Sequence, residues 1–402
     1  MSFIEAMRKY VPKPIRASLQ RLVSLDRHKM AHFERVRSSL GAELESYEPH
    51  RGLPRLGVLT NRASYHRYHL QACVELRVPC VTIDIIAPDW WQTVQRERCD
   101  AYVCWPDATL TSTAKIVKDR IDLLEQATGR PVVPGKRERW LYEDKQRLAE
   151  WLLVEEVDHP RTSVFVTQEA ATSFARSVEL PVVVKTSFGA AAAGVTIVRK
   201  RRQLEELVKA AFGRGIVAQG HDNRDRQRGV IIVQAYVDIV NEWRVLRTSR
   251  RYMVRLKERV GDFHSGSGGV TWAEPLAGLL EFCRHVSERH GLEYAAMDVF
   301  ETRDGRLLVN EIQAVVGPIT TKNTDRGNEW RGWWLPAPDG EGWRFVRGQA
   351  YRNAAANERV VALLETMGFT FTLHDGCFVL AADTQPSPVS VHGRENSLTE
   401  RD

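Results

Sequence analysis

Two acids and an amide, Asp298, Glu311 and Gln313, stand in a stretch whose spacing brings them together: Ala295–Gln313, AAMDVFETRDGRLLVNEIQ. Two apolar, strand-like runs flank Asp304-Gly305, a strong hairpin signal. A two-residue turn there pairs Arg303 with Arg306 and sets Asp298 directly opposite Glu311. Gln313 lies two residues further along the same face, which otherwise carries Ala296, Phe300, Leu307 and Val309. Opposed carboxylates with Cβ atoms roughly 5 Å apart repel each other, and burial sharpens the repulsion. A cation between them resolves it. Three hard oxygen ligands suit magnesium shared with the phosphates of a substrate. This reading makes Asp298→Asn harmless or even stabilising without ligand. A plain hairpin with two solvated acids fits the same stretch.

A second chemical feature is Lys185, at the end of the apolar run Pro181–Gly189 (PVVVKTSFG). It opens a small-residue loop, Gly189–Gly194, in which Ala190–Ala193 keep backbone N–H groups but lose some of glycine's freedom. A fixed cation beside exposed N–H groups can hold phosphate oxygens. The plainer alternative is a solvated lysine. A third feature is Gln234-Ala235-Tyr236-Val237, a strand end just before Glu242-Trp243-Arg244. Such a hinge can offer backbone groups to an adenine edge and a carboxylate to ribose hydroxyls. Glu242 and Arg244 share a strand face, as do Arg255 and Lys257. A salt-bridged sheet surface explains these four equally well.

The elements around these residues follow from periodicity. Residues 1–50 read as basic and helical, able to touch anionic lipid weakly but more simply packed on their own domain. From about residue 51 to 135, strands at 56–60, 81–87 and 99–105 alternate with helices at 64–77 and 112–127, which implies a small parallel sheet. It holds no GxGxxG and no GxxxxGK[ST], so neither a dinucleotide fingerprint nor a Walker loop is expected. Residues 140–153 read as one helix. Strands follow at 181–189, 194–198, 230–237, 242–248 and 251–260, with a polar loop at 219–229. Then come the Gly-rich loop 261–269 (GDFHSGSGG) and a helix at 276–290. Trp330, Trp333, Trp334 and Trp343 follow no period, residues 346–367 read as a helix, and 371–382 as a short strand pair. The tail 384–402 is polar and reads as disordered.

Composition bounds the class. The 402 residues suffice for two or three domains. Net charge is +6, a mild bias toward anionic partners. No apolar run reaches the length of a membrane span, and no apolar signal-peptide core opens the chain. Cys73, Cys80, Cys99, Cys104, Cys283 and Cys377 show no CxxC pair and read as reduced thiols of a cytoplasmic protein. No RNA-binding motif with stacking aromatics appears, so nucleic acid is not an expected partner.

The order of the pieces is more specific than any one of them. Glu143-Asp144-Lys145 opens a helix, PVVVK leads into a small-residue loop, a hinge precedes ExR, and a basic strand and Gly-rich loop precede Asp298 and Glu311-Ile312-Gln313. Over about residues 140–318 this resembles the ATP-grasp superfamily and is most similar to RimK-type glutamate ligases. D-alanine–D-alanine ligases are more distant. The resemblance implies an α/β (α+β) ATP-grasp fold over 136–383, with a small lid subdomain at about 160–238 and an α/β domain before it. It implies that Lys145, Lys185, Gly189, Gly194 and Gln234–Val237 hold ATP, with Glu242 on ribose. Arg244 with Arg255 or Lys257 faces the transferring phosphate, and Asp298, Glu311 and Gln313 bind magnesium. The family usually has Asn where this chain has Gln313. The implied reaction joins a small-molecule carboxylate, an amino acid or sugar acid among the options, to an amine through an acyl-phosphate. A non-catalytic nucleotide- or anionic-polymer-binding protein and a kinase-like transfer are the alternatives. The substrate pocket is expected between the first domain and the rest, near Arg62, Tyr65, Trp90 and Trp91. Oligomeric state stays open.

Overall fold

A computed structural model of the protein describes residues 44–49, 52–60, 62–189, 194–218, 221–259, 269–317 and 327–381. The expectations for the basic N-terminal helices, Ala190–Ala193, most of the Gly-rich loop and the polar tail fall outside these residues. Among the described residues no helix is long and apolar enough to cross a membrane.

The first sheet is built from β1 (Ser46–Tyr47), β2 (Leu56–Leu59), β3 (Cys80–Ile83), β4 (Ala101–Cys104) and β5 (Val132–Val133), in the order β1-β3-β2-β4-β5. β2, β3, β4 and β5 run parallel, and β1 adds an antiparallel edge. Thus Ser46–Tyr47, inside the span read as helical, is strand. All four residues of β2 are buried, as a central parallel strand covered on both faces requires. The connecting helices are α1 (Arg67–Leu76), α2 (Trp90–Glu97) and α3 (Thr111–Thr128).

The expected helix at 140–153 is two: α4 (Lys136–Leu141) and α5 (Lys145–Val154). Glu143 breaks the run with φ 53°, and Asp144 caps α5 by accepting the Arg147 N–H. Propensity favours continuing the helix; the tertiary site needs Lys145 at a helix start.

A second sheet joins β6 (Thr162–Phe165), β7 (Val182–Lys185), β8 (Val195–Val198) and β9 (Ile231–Ala235) in the antiparallel order β6-β9-β7-β8. Helices α6 (Gln168–Ser177) and α7 (Arg201–Phe212) close one face over Val182, Val184, Val198, Ile231 and Val233. Asp225 of this unit reaches the first domain, where its Oδ1 accepts the Thr111 N–H at 2.9 Å. It thereby satisfies an orphan donor of α3, whose own N-cap residue, Leu110, offers no acceptor.

The third sheet has the order β14-β13-β10-β11-β15-β16, with β12 also on β11. Its strands are β10 (Ile239–Thr248), β11 (Arg251–Lys257), β12 (Val270–Trp272), β13 (Ala296–Thr302), β14 (Leu307–Gln313), β15 (Gly332–Pro336) and β16 (Trp343–Arg347). One face packs on α5 and α8 (Leu279–Arg289), among them Leu148, Trp151, Val245, Met297, Val299 and Ile312. The tryptophans without period are strand residues or neighbours: Trp330 stacks on Trp334 with ring centroids 5.8 Å apart. The expected helix at 346–367 starts only at α9 (Ala356–Thr366); β16 takes its first residues. α9 is buried from Ala356 to Leu364, wedged between α1 and the third sheet. The strand pair β17 (Phe371–His374) and β18 (Cys377–Leu380) follows.

Candidate active site

The hairpin of β13 and β14 pairs Asp298 with Glu311, but not through a two-residue turn. The loop is Arg303-Asp304-Gly305: Thr302 N–H donates to Arg306 O at 3.0 Å, and Gly305 takes φ 79°. A three-residue loop closed by a left-handed glycine shifts the register by one residue, so Val299 faces Val309 and Glu301 faces Leu307. Between Asp298 and Val299 the register shifts back, and Asn310 is the extra residue. The turn and the bulge therefore cancel at the acids. The bulge also moves Val309 and Leu307 off the acid face; Val309 packs in the apolar core with Val299 and Met297.

A bulge re-aims side chains, and Asn310 uses it. Its Oδ1 accepts from Lys185 Nζ at 3.0 Å, and its Nδ2 donates to Glu242 Oε1 at 3.3 Å. Lys257 Nζ lies 2.6 Å from Glu242 and 2.5 Å from Asp298. Arg244 meets Asp298 along one edge, Nε to Oδ1 at 2.7 Å and Nη2 to Oδ2 at 2.8 Å. On β10 and β11, Glu242 pairs with Lys257 and Arg244 with Arg255, so these four share one face. Lys145, at the start of α5, reaches Glu311 at 3.3 Å and Gly189 O at 2.6 Å.

Acids and cations thus interlock, and the electrostatics follow. Burial alone would raise the Asp298 pKa; Arg244 and Lys257 overcome it and hold the carboxyl well below its usual range. Glu311 follows the same pattern, with burial opposed chiefly by Lys145. Glu143 goes the other way: burial raises it against the pull of Lys145. Lys185 is pushed down by burial to about 8, and the nearby Lys145 adds to the effect. Burial also disfavours the charge on Lys145, but Glu311 and Glu143 outweigh it and raise its pKa. The repulsion read from the sequence persists, since Asp298 works against the charge on Glu311, but protein cations outweigh it. Asp298→Asn would therefore strand Arg244 and leave Lys257 with Glu242 alone.

The other residues singled out from sequence fall around this cluster. Gly189 and Gly194 bracket the small-residue loop. Gly189 adopts φ 135°, and a Cβ on Gly194 would stand 1.8 Å from Thr186 Oγ1, so both positions require glycine. Gln234, Ala235, Tyr236 and Val237 sit where β9 hands over to β10, and Gln234 Nε2 donates to Thr162 Oγ1 at 3.0 Å. Glu242 was expected on ribose or in a salt-bridged sheet surface. It is 2% exposed and pairs with Lys257, with Asn310 also donating to it. Arg255 lies over the rings of Trp272 and Tyr351, at 5.3 and 5.2 Å. Gln313 donates to Glu143, while its Oε1 is buried without a hydrogen-bond partner. The polar Asn310 inside an apolar strand is the one sequence signal that could have flagged it.

Residues 142–328 match the family model described as the RimK-like ATP-grasp domain. No curated protein sequence matches the chain. Similar solved structures include a RimK domain protein ATP-grasp from Sphaerobacter thermophilus DSM 20745, at 19% identity over 64% of this chain and 90% of that one, TM-score 0.46. D-alanine–D-alanine ligase from Bacillus anthracis is 14% identical over 78% of this chain and 97% of that one, TM-score 0.49. N5-carboxyaminoimidazole synthetase from Staphylococcus aureus is 10% identical over 84% and 96%, TM-score 0.49.

Proposed function

We propose that the protein, whose residues 142–328 match the model of the RimK-like ATP-grasp domain, is an ATP-dependent ligase that joins a small-molecule carboxylate to an amine. ATP phosphorylates the carboxylate; the amine displaces phosphate from the acyl-phosphate; an amide, ADP and phosphate result. The observation that carries this reading is the ion cluster at the mouth of the Gly189–Gly194 loop.

Phosphoryl transfer is mostly positioning plus compensation of charge. Lys145 and Lys185 flank the loop and would take phosphate oxygens, Lys145 exchanging its bond to Gly189 O for one to ATP. Arg244 and Lys257 are held by Asp298, so their charge is fixed in direction before any substrate arrives. Arg255, across from Arg244, would face the acyl-phosphate. The hinge Gln234–Val237 would supply the adenine edge with backbone groups.

Among the described residues no three His, Cys, Asp or Glu side chains are disposed as a metal site. Magnesium, however, binds through one or two carboxylates plus substrate phosphates. Glu311 and the unpartnered Gln313 Oε1 fit that need. Asp298, whose two oxygens are taken, fits it less directly and would act through Arg244 and Lys257. When bound, the ion would offset phosphate charge.

The test is phosphate release from MgATP with a panel of amino acids and sugar acids as carboxylates, and amines as acceptors. Phosphate release that requires both, with an amide product, supports the reading. A stable phosphorylated product would move it to kinase-like transfer, and ATP binding without turnover to a binding protein.

A further inference from the structure

A second buried arginine lies outside the family segment. Arg359 on α9 is 0% exposed. Its Nη1 donates to Ala354 O at 3.0 Å, and its guanidinium lies 5.9 Å from the Trp105 ring centre. Its Nε and Nη2 are buried with no hydrogen-bond partner among the described residues. Those two atoms form one edge of the fork, the same edge with which Arg244 grips both oxygens of Asp298. A guanidinium edge of that kind matches a carboxylate. No acid bonds that edge: Glu358, whose charge favours that of Arg359, gives its Oε1 to the Tyr351 N–H at 2.7 Å and leaves Oε2 without a partner, and Asp107 Oδ1 accepts from Thr109.

Other unsatisfied polar atoms gather at the same place. Both ring nitrogens of the fully buried His69, and Asp107 Oδ2, lack partners among the described residues. His69 stands 6.3 Å from the Trp105 ring. Trp105 and Asp107 follow β4, and His69 lies on α1, the helix after β2. β2 and β4 are adjacent, yet the chain leaves β2 toward β3 on one side and reaches β4 on the other. Ligands of open α/β sheets lodge at such a switch point, beyond the carboxyl ends of the strands. This buried cluster also borders the proposed active site. Tyr142, just before Glu143, faces both Asp107 and Glu311, and Tyr351 lies between Arg255 and Arg359. The backbone leading into α9 is held in an unusual state: Tyr351, Asn353, Ala354 and Ala355 all have positive φ. Ala354 in that run holds Arg359 through its carbonyl. Strain of this kind persists where the surroundings fix a side chain for a purpose.

We propose that this buried cluster of unpartnered polar atoms takes up a carboxylate of the substrate and that Arg359 is the residue that binds it, edge-on, with His69 and Asp107 bonding polar groups beside it. The substrate class is a polar organic acid such as an amino or hydroxy acid. The proposal rests on the ligase reading for its role and names the substrate of that site.

The experiment is a set of melts of the full-length protein with glutamate, with succinate, with inorganic phosphate, and with MgATP, for wild type, Arg359→Met and Arg359→Lys. Wild type should gain a saturable rise in Tm with glutamate or succinate and none with phosphate beyond the effect of ionic strength. Arg359→Met should lose that rise, keep the MgATP rise, and melt at or above wild type without ligand, because an unpaired buried charge is gone. Arg359→Lys should keep a reduced rise. An acid response unchanged in Arg359→Met, no response of wild type to either acid, or an equal response to phosphate would overturn the proposal. So would a ligand-free Arg359→Met that melts well below wild type while Arg359→Lys does not. Loss of the MgATP rise in wild type, with the acid response intact, would sink the ligase reading instead.

Discussion

Arg244 and Arg359 are two buried arginines that present the same edge to different surroundings. Along Nε and Nη2, Arg244 meets both oxygens of Asp298, while Arg359 meets no hydrogen-bond partner among the described residues. Removing one member of a buried pair strands the other, at a cost of about 3–5 kcal/mol. Arg359 has Glu358 near enough to favour its charge but no acid bonded to that edge, so removing it should cost less. The contrast separates two uses of an interior cation. One is aimed by the fold and held ready; the other is left for something that arrives.

The sharpest way to break the comparison is to remove a group on the paired side that has a job beyond pairing. Glu311 holds Lys145 and, with Gln313, is the donor available to magnesium. Glu311→Gln should lower turnover by about 100-fold or more, the scale of losing a principal charge-stabilising group, with a modest change in Tm. Phosphate-release kinetics beside a melt decide it. Turnover within a few-fold of wild type would remove Glu311 from the chemistry.

Asp298→Asn comes next and measures the pairing itself. It should destabilise the ligand-free protein by about 3–5 kcal/mol in denaturant unfolding, since Arg244 loses its acid and Lys257 keeps only Glu242. Equal stability of variant and wild type would mean that these ion pairs are broken in solution, and the contrast with Arg359 would collapse.

The part of this contrast that could be read from residue order was the sheet face, and the part that could not was the pairing. Strand periodicity located Asp298, Glu311 and Gln313, and the Asp-Gly turn signal put the acids opposite each other. It did so through a two-residue turn, whereas the chain uses three residues and returns to register at Asn310. Turn chemistry is local and legible; the bulge serves residues distant in the chain, Lys185 of β7 and Glu242 of β10. Likewise Lys185 and the glycines at 189 and 194 announce themselves, and the shared faces of Glu242, Arg244, Arg255 and Lys257 suggest salt bridging, whereas the depth of Glu242 is not legible in its neighbours. Arg359 could not be singled out at all. An arginine in ANERVVALLET reads as the polar side of an amphipathic helix, and only the burial of the whole of α9 on both sides reveals otherwise.

Asn310 offers a finer test of the same side. Asn310→Ala removes the acceptor for Lys185 and a donor to Glu242, a loss of about 1–2 kcal/mol. Apparent affinity for ATP should weaken by about tenfold, because Lys185 is no longer aimed at the loop. Asn310→Asp should instead hold Lys185 more firmly in its charged form. If both variants bind ATP as wild type does, the bulge is structural only.

The smallest effect concerns the proton on Lys185. Burial pushes its pKa from the ordinary 10.5 down to about 8, and phosphate binding needs the charged form. Apparent ATP affinity should therefore fall as pH rises through about 8, by about fourfold between pH 7 and 8.5 for a single group titrating there. Stability moves the other way. Between about 8 and 10.5 the unfolded chain still holds this proton while the folded chain has released it, so on this group's account unfolding free energy rises with pH. Opposite slopes of ATP binding and ligand-free stability distinguish a titrating Lys185 from general alkaline unfolding, which would lower both. Lys185→Met should flatten this group's part of each slope, and a variant that keeps the wild-type decline in binding above pH 8 would assign that proton to another residue.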